Sequence, residues 1–166
     1  MLECLNRASH AVDRVCRSAA VGFFSAMLLV VLFQVVARYI FQSVPVWTEE
    51  LARYCMVWGG FLGATAAFKG DLDPRLIQPP SSGNRAWVLG AFFIRAAGTV
   101  VFLGPVLYFS ERFLARTWVR NTEALEIPTA LVTCSVPLMI CIIFFHLLVR
   151  ILNLGKERDL DREDSK

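Results

Sequence analysis

The sequence predicts an all-α membrane protein of four transmembrane helices, with both termini in the cytoplasm and a short N-terminal amphipathic helix at the membrane surface. Three observations carry this. The chain has 166 residues, of which 56% are hydrophobic, above the 45–50% typical of soluble domains. Its mean hydropathy is +0.54. Its 17 basic and 14 acidic residues collect between long stretches that carry almost none. A bilayer demands that segregation, because a charge at mid-membrane costs several kcal/mol.

Residues 1–18 come first. Leu2, Leu5, Val12, Val15 and Ala19 recur at helical spacing, with Arg7, His10, Arg14 and Arg17 mostly elsewhere on the wheel. That pattern predicts a cytoplasmic helix lying on the membrane surface. The first span follows at about 19–40. At about 1.5 Å per residue this run crosses a hydrocarbon core of ~30 Å. It is too long for the apolar part of a cleavable signal peptide and reads as a retained span. The second span is predicted at about 47–68, the third at about 86–109 and the fourth at about 128–154, together forming a transmembrane domain over 19–155. A charged tail, 156–166, closes the chain and reads as solvated.

Lys and Arg set the orientation. Arg7, Arg14 and Arg17, then Lys69, Arg75 and Arg85 of the second loop, then Arg150, Lys156, Arg158, Arg162 and Lys166 all fall on one side. Arg38, Arg112, Arg116 and Arg120 fall on the other. The richer side is cytoplasmic. Trp47, Trp87 and Trp118 stand near span ends, where indole rings prefer to lie. Pro128 suits the first turn of a helix, and Gly155 reads as a helix stop. Pro105 and Pro137 lie inside spans and predict kinks. The loop 78–84 is turn chemistry.

Several function classes fall away at this stage. The net charge of +3 is split among separate loops, which does not make a nucleic-acid face. The five cysteines, Cys4, Cys16, Cys55, Cys134 and Cys141, include no CxxC and read as small apolar filler rather than a disulfide framework. The two histidines are His10, in the surface segment, and His146, near the cytoplasmic end of span four. They do not build a bis-histidine haem, and no metal-ligand cluster is visible. His146 reads as a hydrogen-bonded contact between helices. Ser25, Thr65, Thr99, Thr133 and Ser135 have no evident base. The sequence therefore predicts no enzyme, cofactor or metal.

The polar residues near the first periplasmic turn need an account. Gln34 and Arg38 end span one, and Trp47, Glu49, Glu50 and Arg53 begin span two. About seven residues separate the groups. Arg38 at a helix C-terminus and the glutamates at an N-terminus both complement the helix dipole. A cluster of Arg38, Glu49, Glu50 and Arg53 is predicted. It has two readings: a clamp between helices one and two, or a contact with a partner subunit or lipid headgroup. Arg95 lies eight residues past Trp87, roughly 12 Å into span three. Its guanidinium either snorkels toward the cytoplasmic headgroups, or pairs inside the bundle or across an interface with lipid or a partner chain; a transport-pathway charge is disfavoured, since no acid at that depth is visible to answer it. Gly59, Gly60, Gly63, Ala64, Ala66 and Ala67 give span two a small face suited to close helix packing.

The stretch QVVARYIFQSVPVWTEELARYCMVWGGFLGATAAFK resembles the small membrane subunit of TRAP transporters, the DctQ-like family. The family pattern is an arginine late in helix one, Trp-x-Glu-Glu opening helix two, a later tryptophan and Phe-Leu-Gly-Ala. These match Arg38, Trp47, Glu49, Glu50, Trp58, Phe61, Leu62, Gly63 and Ala64. Ala124-Leu125-Glu126-Ile127-Pro128 and Pro137 are similar to the family's fourth-helix entry and its internal proline. The likeness covers roughly 20–155. One departure is Lys69-Gly70-Asp71-Leu72-Asp73-Pro74, where the family often carries a histidine; that residue's role does not transfer.

The resemblance implies a non-catalytic scaffold in the bacterial inner membrane. Its partners would be a large polytopic TRAP membrane subunit, a periplasmic solute-binding protein and membrane phospholipids. The process would be sodium-driven uptake of a small, carboxylate-bearing solute. The rival readings are a stand-alone channel or small transporter, and an accessory subunit of another membrane complex. No polar stripe along any helix supports a pore.

Overall fold

A computed structural model describes residues 2–70, 72 and 85–163. The turn-rich loop 78–84 and half of the Lys69–Pro74 departure lie outside the described residues. The described chain is helical: α1 (Leu2–Val36), a π-helical turn (Ala37–Phe41), α2 (Val46–Lys69), α3 (Arg85–Trp118), the short α4 (Ala130–Thr133) and α5 (Ser135–Glu163).

α1 runs through residue 18 without a turn, so residues 2–18 are the first half of one long rod. With the π turn it is 40 residues long, or about 60 Å, twice a ~30 Å hydrocarbon core. Gln42, at φ 52°, ends it in the left-handed region. Pro45 then caps α2 with extended backbone. The Thr48 hydroxyl donates to the Pro45 carbonyl at 2.7 Å, closing the first turn.

Among the described residues, three helices are both long and apolar enough to cross a membrane: Leu2–Phe41, Leu89–Trp118 and Ala130–Asn153. α2 has the length, at 24 residues, but is less apolar. Glu49, Glu50 and Arg53 occupy its first two turns, and glycine and alanine dilute the rest.

Three boundaries differ from those the sequence predicts. α3 continues past 109 to Trp118 and stays helical through Pro105. The fourth run begins at Ala130 rather than 128 and breaks at Cys134, between α4 and α5. Pro137 explains the break, because it has no N–H to give the Thr133 carbonyl. Gly155 is not a stop: α5 continues to Glu163, through most of the segment expected as a solvated tail. A glycine inside a helix costs only about 1 kcal/mol, which helix-forming neighbours outweigh.

α1 and α2 form the tightest pair. Cys16, Ala20 and Leu62 are buried together, with Val12, Phe23, Trp58 and Ile142 packed around them. Phe23 stacks on Trp58 with ring centroids 5.9 Å apart. Gly59 lets the helices approach: a Cβ there would lie 3.3 Å from the Phe24 ring. A Cβ on Gly60 or Gly63 would meet nothing within 4 Å, so only part of the small face is used within this chain. α5 packs against both α1 and α2, while α3 leans on α4 and α5. Large apolar side chains remain exposed along α1 (Leu28, Leu29, Leu32) and α3 (Ile94, Val101, Phe102). That much apolar surface requires lipid or protein around it.

Candidate functional site

Polar groups gather at both ends of the α1–α2 pair. At the turn between these helices, Trp47 stacks on Phe33, with centroids 6.5 Å apart and planes 26° from parallel. Arg53 Nη2 donates to Glu49 Oε1 at 3.0 Å, one turn apart on α2. Both side chains are well exposed, 64% and 76%, so the pair is worth only ~0.3–0.5 kcal/mol.

Glu50 points elsewhere. Its Oε2 accepts the backbone N–H groups of Ala124 at 3.0 Å and Leu125 at 2.9 Å. Its Oε1 accepts the Tyr54 hydroxyl. The receiving loop is built to present those amides. Asn121 and Pro128 face each other in a bridge. The Thr122 N–H donates to the Ile127 carbonyl at 2.9 Å, and the Thr129 N–H to the Arg120 carbonyl at 2.8 Å. The Ile127 N–H donates to Thr122 Oγ1 at 3.2 Å. Glu126, at φ 54°, turns the chain back. The ring closes through Thr117 and Thr133, whose hydroxyls lie 3.1 Å apart and join α3 to α4. The two motif segments, Trp47–Glu50 and Ala124–Pro128, are thus one structure. The cleft beside them, about 590 Å³, is lined among others by Glu50, Tyr54, Thr117 and Thr133.

The sequence predicts one cluster of Arg38, Glu49, Glu50 and Arg53. The structure brings Glu49 and Arg53 together and sends Glu50 to the α3–α4 loop. Arg38 is exposed in the π turn, and among the described residues no ion pair joins it to Glu49 or Glu50. Arg95 holds its guanidinium 5.3 Å from the centre of the Phe68 ring on α2. Arg150 of α5 does the same over Phe92 of α3, at 5.4 Å. Such contacts are worth ~0.5–2 kcal/mol, most where water is excluded.

The opposite end of the pair holds a network that sequence reasoning found only in part. His146, predicted as a helix contact, meets Ser9 Oγ through Nδ1 at 2.9 Å. Asn6 and Asn153 exchange two amide hydrogen bonds, 3.1 and 2.8 Å long. Lys69 Nζ donates to the Ser9 carbonyl at 2.6 Å and lies 4.0 Å from Asp13 Oδ2. These bonds tie α1, α2 and α5 together. The available signal was the row Asn6, Ser9, Asp13, Arg17, spaced three and four apart on one face of a helix.

Residues 27–156 match the family described as tripartite ATP-independent periplasmic transporters, DctQ component. The chain belongs to the DctQ family. It is also similar to a protein of Haemophilus influenzae described as a TRAP transporter small permease, with 35% identity over 60 residues. That likeness covers 36% of this chain and 37% of the relative, so the chain matches little more than a third of the relative's length. The matched family segment contains every residue of the Glu50 clamp. Asn6, Ser9, His10, Asp13 and Arg17 lie outside it. With its exposed apolar helices and its family, this DctQ chain is a multi-pass membrane protein.

Proposed function

We propose that this DctQ chain is the non-catalytic small subunit of a TRAP solute importer. In this reading it scaffolds a large polytopic transport subunit that works with a periplasmic solute-binding protein, in sodium-driven uptake of a small carboxylate-bearing solute. The observation that carries the proposal is the Glu50 clamp. It ties the start of α2 to the α3–α4 loop, so the turn-side ends of the helices hold one rigid arrangement. Rigidity on one face is what a static partner needs while another subunit moves. The exposed apolar faces of α1 and α3, and the open side of α2 at Gly60 and Gly63, supply surface for lipid and for that subunit.

In this reading α2 also crosses the membrane, as the second of four spans, both termini lie in the cytoplasm of a bacterial inner-membrane protein, and the Glu50 clamp faces the periplasm. The first half of α1 then projects from the cytoplasmic side together with the end of α5. Tagged purification in mild detergent from native membranes, followed by mass spectrometry, tests the assignment. A stoichiometric large polytopic protein is the expected companion. Recovery of a homogeneous complex of this chain alone would overturn the scaffold and leave a stand-alone channel.

A further inference from the structure

The exposed apolar surface of this chain does not form a level band around it. Side-chain contacts between helices fix the relative heights. Asn6 of α1 pairs with Asn153 of α5, and this pair sets the zero. Phe92 of α3 lies beneath the Arg150 guanidinium of α5, which puts it about 5 Å above zero at 1.5 Å per residue. Thr117 of α3 meets Thr133 of α4, about 30 Å above zero.

On this scale α1 and α3 carry their charges at different heights. α1 exposes Arg14 and Arg17 at about 12 and 16 Å and its next cation, Arg38, at about 48 Å. Between them it exposes Val21, Leu28, Leu29 and Leu32. α3 begins with exposed Trp87, about 3 Å below zero. It then exposes Ile94, Val101, Phe102 and Phe109, with Arg95 held against Phe68. Glu111, Arg112 and Arg116 follow, all exposed. Counted back from Thr117 or forward from Phe92, Glu111 stands at about 21–33 Å. The apolar stretch of α3 is therefore displaced from that of α1 by about 20 Å, at both ends and in the same sense. A bilayer set square to the helices and fitted to α3 would bury Arg14 and Arg17 in hydrocarbon, at several kcal/mol each. Fitted to α1, it would bury Arg112 and leave Ile94 in water.

Inclination resolves both conflicts. Among the described residues α1 and α3 make no contact, and α5 touches both. At 8–10 Å per helix step, α1 and α3 are up to about 20 Å apart. We infer that the chain sits obliquely in the bilayer, its helices roughly 45° from the normal, and that its exposed arginines hold phospholipid headgroups of opposite leaflets. Arg14 and Arg17 meet one leaflet, Arg112 and Arg116 the other. Membrane helices average a tilt of about 20°, so this seat is steep. A guanidinium gives phosphate oxygens charge-assisted hydrogen bonds, and Trp87 and Trp118 stand where indole rings prefer to lie. The inclination requires only that the chain is a membrane protein and stands apart from the importer reading. With the orientation proposed above, Arg14 and Arg17 meet the cytoplasmic leaflet.

The test uses the full chain in phosphatidylcholine–phosphatidylglycerol nanodiscs. Spin labels are placed singly, in a cysteine-free background, through Val15→Cys, Phe102→Cys, Leu29→Cys and Arg116→Cys. All four positions are exposed, so the labels leave the packed interior alone. Val15 and Phe102 share one height to within about 6 Å, and so do Leu29 and Arg116. Relaxation by oxygen against a water-soluble nickel chelate reads the depth of each label. In the oblique seat Phe102 and Leu29 lie deep, and each partner lies roughly 10–15 Å nearer the headgroups, the helix separation projected on the normal. Polarised infrared dichroism of the unsubstituted chain in aligned bilayers of the same lipids gives the mean helix tilt and needs no variant. A tilt near 45° is expected. Equal depths within either pair overturn the inference, as does a mean tilt of about 20° or less; Arg14 and Arg17 would then face protein rather than lipid.

Discussion

Glu50 Oε2 receives the backbone N–H of Leu125 at 2.9 Å, across 75 residues of sequence. The adjacent Ala124 N–H reaches the same oxygen at 3.0 Å. Two amides converge on one carboxylate oxygen, while Tyr54 holds the other oxygen. This contact makes the start of α2 and the α3–α4 loop a single unit.

Removing the carboxylate should release the loop. In Glu50→Ala the amides of Ala124 and Leu125 lose their acceptor, and their hydrogen exchange should speed up in detergent. Glu49→Gln, one residue away, should leave both amides unchanged and shift stability by no more than about 0.5 kcal/mol. Equal exchange in the two variants would dissolve the distinction between these glutamates. If the scaffold proposal holds, Glu50→Gln weakens complex assembly or transport without altering which solute is carried.

The two faces of α2 should respond differently to bulk. Gly59→Leu forces a side chain into the Phe23–Phe24 contact and should cost about 1–3 kcal/mol. Gly60→Leu meets open space within the chain, so the isolated protein should melt almost as the parent does. If Gly60→Leu also blocks recovery of a partner, that face is where the partner sits. Thermal melts in detergent separate the cases.

The Phe23–Trp58 stack sits over the Cys16–Ala20–Leu62 core. Trp58→Leu retains apolar bulk but loses the ring pair, worth about 0.5–1.5 kcal/mol. A melting temperature equal to that of the parent would mean that the stack contributes nothing in detergent.

Asn6 and Asn153 should be coupled. A double-mutant cycle with Asn6→Ala and Asn153→Ala should yield about 0.6–1.7 kcal/mol, the range for hydrogen bonds between membrane helices. Strict additivity would place the two amides apart in the folded protein.

Topology is open to direct labelling. In a cysteine-free background, Ser43→Cys should react with a membrane-impermeant maleimide from the periplasmic side. Gly155→Cys should react only after the membrane is opened. Labelling of both from the same side would remove α2 as a span, and with it the four-span arrangement.

Much of this fold is legible in the sequence. The long apolar runs mark the helices of the first, third and fourth spans, because only a non-aqueous surrounding accepts such lengths. Helix ends read less well. Gly155 looked like a stop and is not one, since a single glycine is a weak penalty against the helix-forming residues on either side. Pro137 acted where it was expected, but as a break at Cys134 between α4 and α5, because the missing N–H frees a carbonyl one turn earlier. His146 was legible as a helix contact. Its partner Ser9 was not, because they stand 137 residues apart.

The sequence alone determined that helices one and two carry polar groups at a short connection and that those groups must be held somewhere. Only the tertiary structure decided that Glu50, and not Glu49, does the holding. Consecutive residues on an α-helix point about 100° apart. One therefore turns to solvent and pairs with Arg53, and the other turns inward. What it meets there is a pair of backbone amides whose position depends on the closure of a distant loop, and backbone amides leave no mark in the order of side chains.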